Sequence, residues 1–578
     1  MLTRIRIRNF KRFEDSEIEL GKAVLLIGPN NSGKTTALQA LALWDIGLRR
    51  WNEKRKGKSS PEKRPGVTVN RRDLVSIPVP VANLLWRNLH VRNVSRSEEN
   101  GKTLQKTVNI RVDIVVEGVT RDKAWSCGLE FDYANEESFY CRPLRIDEEG
   151  EKRMTIPDEA GSARIAYLPP MSGLADHEFV KQPGEIGVLI GQGQTAQVLR
   201  NLCYQIHENK NAKHWDNLLI QINELFGVEL LAPKYIAERS EITMAYNDER
   251  KNTLDLSSSG RGLQQTLLLL AHLYSNPGAV LLLDEPDAHL EVLRQRQTYN
   301  LLIHVAEQQG SQIIAASHSE VVLNEAAERD TVIAFVGKPH RIDDRGSQVL
   351  KALRDIGFEQ YYQAEETGWV LYLESATDLA ILQEFAKLLS HEAQSFLARP
   401  FVKYVETNLP QRARDHFGGL SEAKNDLVGI AIFDRLDKKL QATDTLVEMM
   451  WRRREIENYF CREDVLLAYA RHDQPDDLFG RTEAARREQT MREAIEEVTK
   501  LLEIDDLAPW SPDVKATDEV FDRVFKLFFK KLGLPLQLRK SEYHVLAGLM
   551  PREELDGEIT EKLDAIVTVA KKAKPKTD

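Results

Sequence analysis

A chain of 578 residues with a net charge of −10, 42% hydrophobic and 29% charged, has the composition of an ordinary soluble protein and length for about three to five domains. No apolar run approaches the roughly 20 residues that cross a bilayer, and the N-terminal MLTRIRIRNFKRF lacks an apolar core or small-residue cleavage site, so a cytoplasmic protein is expected. Cys127, Cys141, Cys203 and Cys461 never form a CxxC pair, which argues for core thiols and against a zinc site or a disulfide framework.

In chain order, the first strong signal is AVLLIGPNNSGKTT, an apolar strand running into G-x-x-x-x-G-K-[ST]. Gly28 and Gly33 let the backbone curl, so that its N–H groups, through Asn30, Asn31 and Ser32, face phosphate. Lys34 reaches the β and γ phosphates, and Thr35 can hold Mg²⁺. Thr36 and the helix that follows point a positive helix end at the anion. Next, LRRWNEKRKGKSSPEKRPGVTVNRR ends at Arg72 and reads as an exposed basic loop, either a phosphate contact or a solvated insertion. Alternating segments such as TVNIRVDIVVEG and KAWSCGLEFDY predict hairpin strands. QVLRNLCYQIHENKNAKHWDNLLIQINELFG carries apolar residues at helical spacing.

DLSSSGRGLQQTLLLLAHL is a small-residue turn opening a helix at about Gly262, with Ser259, Gly260 and Gly262 as candidate contacts. PGAVLLLDEPDAHLE predicts a buried strand ending in Asp284, a Mg²⁺ ligand, and Glu285, placed to polarise an attacking water. SQIIAASHSE predicts a further strand ending at His318, suited to sensing a γ-phosphate. Beyond it, WVLYLESATDLAIL and DLVGIAIFDRLDKK predict two buried strands ending in Glu374 and Asp434, with Asp378 and Asp437 close behind. Strand ends are where open α/β sheets place chemistry. The tail KKAKPKTD reads as plain disorder. There is no heptad run long enough for a coiled-coil arm and no internal repeat.

Phosphate loop, signature-like turn, Asp-Glu strand and strand-end His, in that order, resemble the ATP-binding-cassette ATPases of the RecF- and SMC-like branch, whose first strand is similar to LTRIRIRNFKRFED. That resemblance implies a head-to-head homodimer or higher even oligomer in which the signature turn completes the ATP site of the second copy. RIAYLPPMSGL offers no Q-loop glutamine, and SSSGRG departs from LSGGQ. Parallel strands ending in Glu374 and then Asp434 resemble the Toprim domain. ATPase and Toprim in one chain resemble the OLD (overcoming lysogenization defect) family of ATP-dependent nucleases.

The implied fold is α/β throughout. An ABC-type ATPase head spans 1–365, with a basic and β-rich insertion at about 45–160 and a helical one at 176–250. A Toprim-type parallel-sheet domain with a C-terminal helical part spans 366–578. The resemblance implies ATP and Mg²⁺ or Mn²⁺ as cofactors, DNA as substrate and an anti-phage role, with a retron reverse transcriptase and its DNA–RNA hybrid, or a helicase, as possible partners. Metal would be held by Glu374, Asp378, Asp434, Asp437 and, from WRRREIENYFC, Glu457 in preference to Glu455. From LRKSEYHVLAGL, Lys540 matches a basic residue near the scissile phosphate, and His544 is a weaker candidate. Ser375 stands where that family has Gly, and the aspartates are spaced D-x-x-D in place of D-x-D. Those departures sustain a rival reading, a DNA-binding ATPase sensor or clamp whose second domain only docks.

Overall fold

The computed structural model describes residues 1–575 except 56–65, 78, 100–101, 148–151, 210–211, 328, 336, 343–356, 406–407, 438–439, 442, 473, 476, 505–506 and 509. Two compact units, Met1–Leu350 and Lys351–Thr577, divide the chain.

The first unit contains two six-stranded sheets. One is antiparallel, with spatial order Phe13–Glu19, Leu2–Phe10, Val112–Thr120, Lys123–Asn135, Ser138–Pro143 and Val67–Asn70. The other runs Ile165–Leu168, Val280–Asp284, Gln312–Ser317, Ala23–Ile27 and Thr331–Ala334, all parallel, with His340–Arg341 antiparallel at its edge. Helix Lys34–Arg55 buries Ala37, Leu38, Ala40, Leu41, Ala42, Leu43 and Trp44, residues that run all the way around it. A helix apolar on every side is covered on every side; here its core takes in Ile5 and Ile7 of one sheet and Val24, Leu282 and Ile314 of the other.

Two expectations need correcting. The helix runs to Arg55 because Leu48 and Trp51 are buried on it, so the first residues of the basic stretch are helical; residues 56–65 of that stretch lie outside the described residues. The region expected to be helical to 250 is so only through Pro183–Gly191, Leu199–Glu208 and Ala212–Phe226. From Glu229 it forms short antiparallel strands, because Ile242, Met244 and Tyr246 are buried at every second position. All four cysteines are buried free thiols, and burial raises Cys127 to about 12.

The second unit is built on a parallel four-stranded sheet in the order Val402–Tyr404, Trp369–Leu373, Val428–Phe433, Leu446–Met450. All five residues of Trp369–Leu373 are buried, as the continuous apolar run predicts for a strand covered on both faces. Helices Ala376–Leu389, Pro410–Ala423, Glu463–Arg471, Leu478–Ile504, Asp522–Leu532 and Gly557–Lys572 accompany it. Its core includes Phe385, Phe460, Phe521, Phe525 and Tyr543.

In chain order the sheet reads second strand, first, third, fourth. Strand order therefore reverses between Trp369–Leu373 and Val428–Phe433, and the crevice beyond the carboxyl ends at such a switch point is the binding position of open α/β sheets.

Candidate functional sites

In the first unit, strand Ala23–Ile27 delivers the chain into the phosphate loop and helix Lys34–Arg55 carries it away. Gly33 has φ +105, and a Cβ there would stand 2.8 Å from Arg12 Cδ, so only glycine meets both demands. Asn31 is left-handed at φ 62, a conformation asparagine tolerates. Lys34 Nζ donates to the carbonyls of Gly28 and Pro29, each at 2.6 Å, which places the ammonium at the mouth of the loop. Burial lowers its pKa, opposed by the charges of Glu285, Asp284 and Asp287. The arrangement fits a phosphate group: a positive end with backbone N–H groups around it, and a buried Ser32 Oγ that finds no hydrogen-bond partner among the described residues.

Strand order brings the remaining parts together. Asp284 ends Val280–Asp284, and its Oδ1 accepts from Thr35 Oγ1 at 3.0 Å. Strand Gln312–Ser317 lies between Asp284's strand and the phosphate-loop strand, so His318 emerges beside both. Glu285 takes φ 51 while its N–H donates to Ala316 O at 2.9 Å; its Oε1 lies 4.0 Å from His318 Nδ1. Burial, then the charge of Glu285, pushes Asp284 up to about 6 in spite of its bond to Thr35. Thr35 and Asp284 are the oxygen pair that would hold Mg²⁺, which when bound with ATP neutralises phosphate charge.

Ser259, Gly260 and Gly262 sit elsewhere. Gly260 caps helix Arg261–Ser275, and among the described residues no hydrogen bond or ion pair joins this turn to the phosphate loop. One functional contact had no motif to announce it: Tyr167 OH donates to Asp284 Oδ2 at 3.2 Å, from strand Ile165–Leu168, where no glutamine was found. Burial and the Asp284 charge raise the phenol's pKa, so it remains a donor. Tyr167→Phe should raise the Mg²⁺ needed for half-maximal ATP hydrolysis by about 10-fold, the lower end for partners of a metal ligand. A Mg²⁺ titration at fixed ATP that does not move would remove Tyr167 from this role.

Residues 1–45 match the family described as "AAA ATPase domain" and residues 201–324 the family described as "AAA domain, putative AbiEii toxin, Type IV TA system". The first unit is an AAA/ABC-type ATPase. A 43-residue stretch is 44% identical to the OLD nuclease of Thermus scotoductus (strain ATCC 700910 / SA-01). That stretch is 7% of this chain and 8% of the length of that relative. Two solved structures cover 59% of this chain and 98% of their own, each at 15% identity. They are the SmcHead bound to the C-winged helix domain of ScpA, at TM-score 0.34, and the SMC head domain from Thermotoga maritima, at 0.30. Among the described residues of the ATPase and of the second unit, no helix is long and apolar enough to cross a membrane.

Carboxylates gather at the switch point of the second unit. Glu374 follows strand Trp369–Leu373 and Asp434 follows the adjacent Val428–Phe433. Glu455 and Glu457 are both 5% exposed on the short turn around Ile456–Tyr459. Burial pushes Asp434 up to about 9, followed by the charges of Glu457, Asp378, Glu374 and Glu455. Glu457 is raised by burial and then by Glu455 and Asp378. Glu374 and Asp434 at the two strand ends, Asp378 in the helix that follows, and Glu455 and Glu457 on the turn therefore sense one another's charge.

Asp378 also has a structural task. Its Oδ2 accepts the N–H groups of Glu374 at 3.0 Å and Ser375 at 3.2 Å, and its Oδ1 accepts from Ser375 Oγ at 2.9 Å. With Ser375 as N-cap this is a capping box, legible in Ser-Ala-Thr-Asp and overlooked beside the acidic pattern. Glu455 is similarly engaged, accepting Thr517 N–H at 2.6 Å.

Asp437 is exposed, three positions beyond Asp434, and the charges that act most on Asp434 are those of Glu457, Asp378, Glu374 and Glu455. Lys540 begins the turn Lys540–Glu542, and its charge opposes the rise that burial imposes on Glu455 and Glu457. His544 is half-buried at the start of a short helix. Lys515 gave no sequence signal, yet its charge reaches Glu455 and Glu374. It precedes the π-helical turn Ala516–Phe521, an irregularity frequent at functional sites.

The donor set is all carboxylate, the chemistry that hard Mg²⁺ or Mn²⁺ requires. Among the described residues no three His, Cys, Asp or Glu side chains are already close enough to grip an ion. Mutual repulsion is the feature that a divalent cation relieves.

Proposed function

We propose that this ATPase controls a divalent-metal-dependent DNA nuclease of the OLD type housed in the second unit, in which Glu374, Asp378, Asp434 and Glu457 hold Mg²⁺ or Mn²⁺ and Lys540 faces the scissile phosphate. The observation that carries the proposal is the set of mutually repelling carboxylates at the switch point of a parallel sheet. A domain used only for packing has no need to hold like charges together at that cost. The short stretch of identity to an OLD nuclease supports the same reading.

On this proposal the metal, when bound, polarises the phosphate and activates water. The protein's own carboxylates orient that ion, while the lysine neutralises backbone charge. The ATPase works as a head-to-head dimer or higher even assembly, each signature-like turn reaching the nucleotide of the other copy. Anti-phage defence, alone or with a reverse transcriptase or helicase partner, is the biological role that goes with the OLD type.

A second reading, an ATPase sensor or clamp whose second unit docks without cutting, draws on the capping role of Asp378 and the lack of a ready-made metal grip among the described residues.

Plasmid nicking separates them. Purified protein with Mg²⁺ or Mn²⁺ should convert supercoiled DNA to open circles. Glu374→Ala should abolish this, and Lys34→Ala will show whether ATP drives or restrains it. If wild type and Glu374→Ala are equally inert under every metal and nucleotide condition, the sensor reading stands.

A further inference from the structure

A buried arginine joins the segment after Leu168 to the signature-like turn. Arg200, 1% exposed, lies near the start of helix Leu199–Glu208. Its Nη1 donates to Ala175 O at 2.7 Å and its Nη2 to Asp255 Oδ1 at 3.1 Å. A guanidinium is buried only at a cost, so it persists where its bonds fix it. Glu178, also buried, clamps the same helix end: its carboxylate accepts the N–H groups of Arg200 at 2.9 Å and Asn201 at 2.6 Å, and the Asn201 side-chain amide at 2.8 Å. The strap from 169 to 182 and the start of this helix therefore form one braced piece. That strap leaves the strand whose Tyr167 holds Asp284.

The far end of the brace shapes the turn itself. Asp255 Oδ1, the oxygen that receives Arg200, also accepts from Ser257 N at 2.8 Å and Ser257 Oγ at 2.6 Å. Ser259 Oγ donates to Leu256 O at 2.7 Å, and Gln264 Nε2 to Ser259 O at 3.0 Å. The oxygen that Arg200 grips thus also holds Ser257 at the entry to the turn, and Ser259 is tied to Leu256 beside it.

We infer that Arg200 and Asp255 are positioning residues through which the inserted segment 169–208 sets how the Ser259–Gly262 turn is presented to the nucleotide of a second copy. The inference rests on the proposal that this turn acts in trans, and the test keeps the two apart.

Mixed dimers are isolated in ATP through two different affinity tags, one chain carrying Lys34→Ala, so that a single composite site turns over. Asp255→Asn retains an oxygen for Ser257 N–H while losing the ion pair. On the Lys34→Ala chain, whose turn serves the live site, it should lower turnover by about 10-fold or more, within the 10²-fold that a misplacement of about 1 Å can cost. The KM for ATP should not change. On the other chain it should do nothing. Arg200→Lys should show the same dependence on placement.

Gly260→Trp is the control, because nothing lies within 4 Å of a Cβ at that position; the bulk obstructs only what approaches from outside. If Gly260→Trp acts from the Lys34→Ala chain alone while Asp255→Asn acts from neither chain, or equally from both, the positioning role is overturned and the trans reading stands. If Gly260→Trp shows no dependence on placement, or no mixed dimer forms, the trans reading falls and this inference with it.

Discussion

Asp434→Asn should make the metal-free protein more stable and, in the same variant, abolish metal-dependent cutting. Asp434 sits among Glu457, Asp378, Glu374 and Glu455, and burial together with their charges lifts its pKa from 3.8 to about 9. A carboxyl that holds its proton more tightly in the folded state makes folding stability fall as pH rises, from the ordinary value up through the folded one. Between pH 5 and pH 9 wild type should lose stability steadily without metal, while the asparagine variant loses less. The gap in Tm should widen with pH and be greatest near pH 9. A relief of about 1 kcal/mol corresponds to a rise of about 2–4 °C for a unit of this size. Mg²⁺ should stabilise wild type and do little for the variant, since only an ion binding the folded form shifts the balance. Thermal melts of both proteins across pH, with and without Mg²⁺, give the answer; parallel pH profiles would show that Asp434 is not held among repelling charges.

Glu285→Gln should reduce ATP hydrolysis by about 10²–10⁴-fold, the usual worth of a positioned general base, and leave ATP binding intact. The geometry separates the two effects. Lys34, Thr35 and Asp284 line the phosphate loop and would make the contacts to a nucleotide and its Mg²⁺, whereas Glu285 turns away from its strand at φ 51 with its N–H fixed to Ala316 O. Glutamine has the same shape and keeps that backbone bond, so what is lost is the carboxylate. Binding of a fluorescent ATP analogue beside steady-state phosphate release would measure both. Hydrolysis surviving within a few fold would assign the base elsewhere. DNA cutting that persists in this variant would show that binding, not hydrolysis, sets the nuclease.

What could be read from the sequence followed a physical rule. Val280–Asp284, Gln312–Ser317, Trp369–Leu373 and Val428–Phe433 are continuous apolar runs because their sheets are covered on both faces, and each run ends at the residue where chemistry would sit. The phosphate loop was equally plain, since its glycines and lysine are forced by backbone geometry and charge. Tyr167, Arg200 and Lys515 were opaque: each acts on a group brought near only by folding, Tyr167 on an aspartate 117 positions away. The segment from Glu229 misled because its strands are two or three residues long, too short for a period to outweigh the helices before them. Asp378 shows a third case, in which the pattern was visible and carried two meanings at once.

The order of strands in the ATPase sheet governs when this protein can begin to exist as a folded object. The phosphate-loop strand Ala23–Ile27 is among the first made, yet its sheet neighbours are Gln312–Ser317 and Thr331–Ala334. Leu2 is clasped through both its N–H and its carbonyl by the side chain of Gln312, at 2.7 Å each. During synthesis strand Ala23–Ile27 must therefore wait, at about 5–20 residues per second, for some 15 seconds or more with both its edges unpaired. Such late closure slows folding and exposes the chain to misassociation. A ribosome stalled before Ala334 would release a fragment that contains the whole phosphate loop and cannot shelter it.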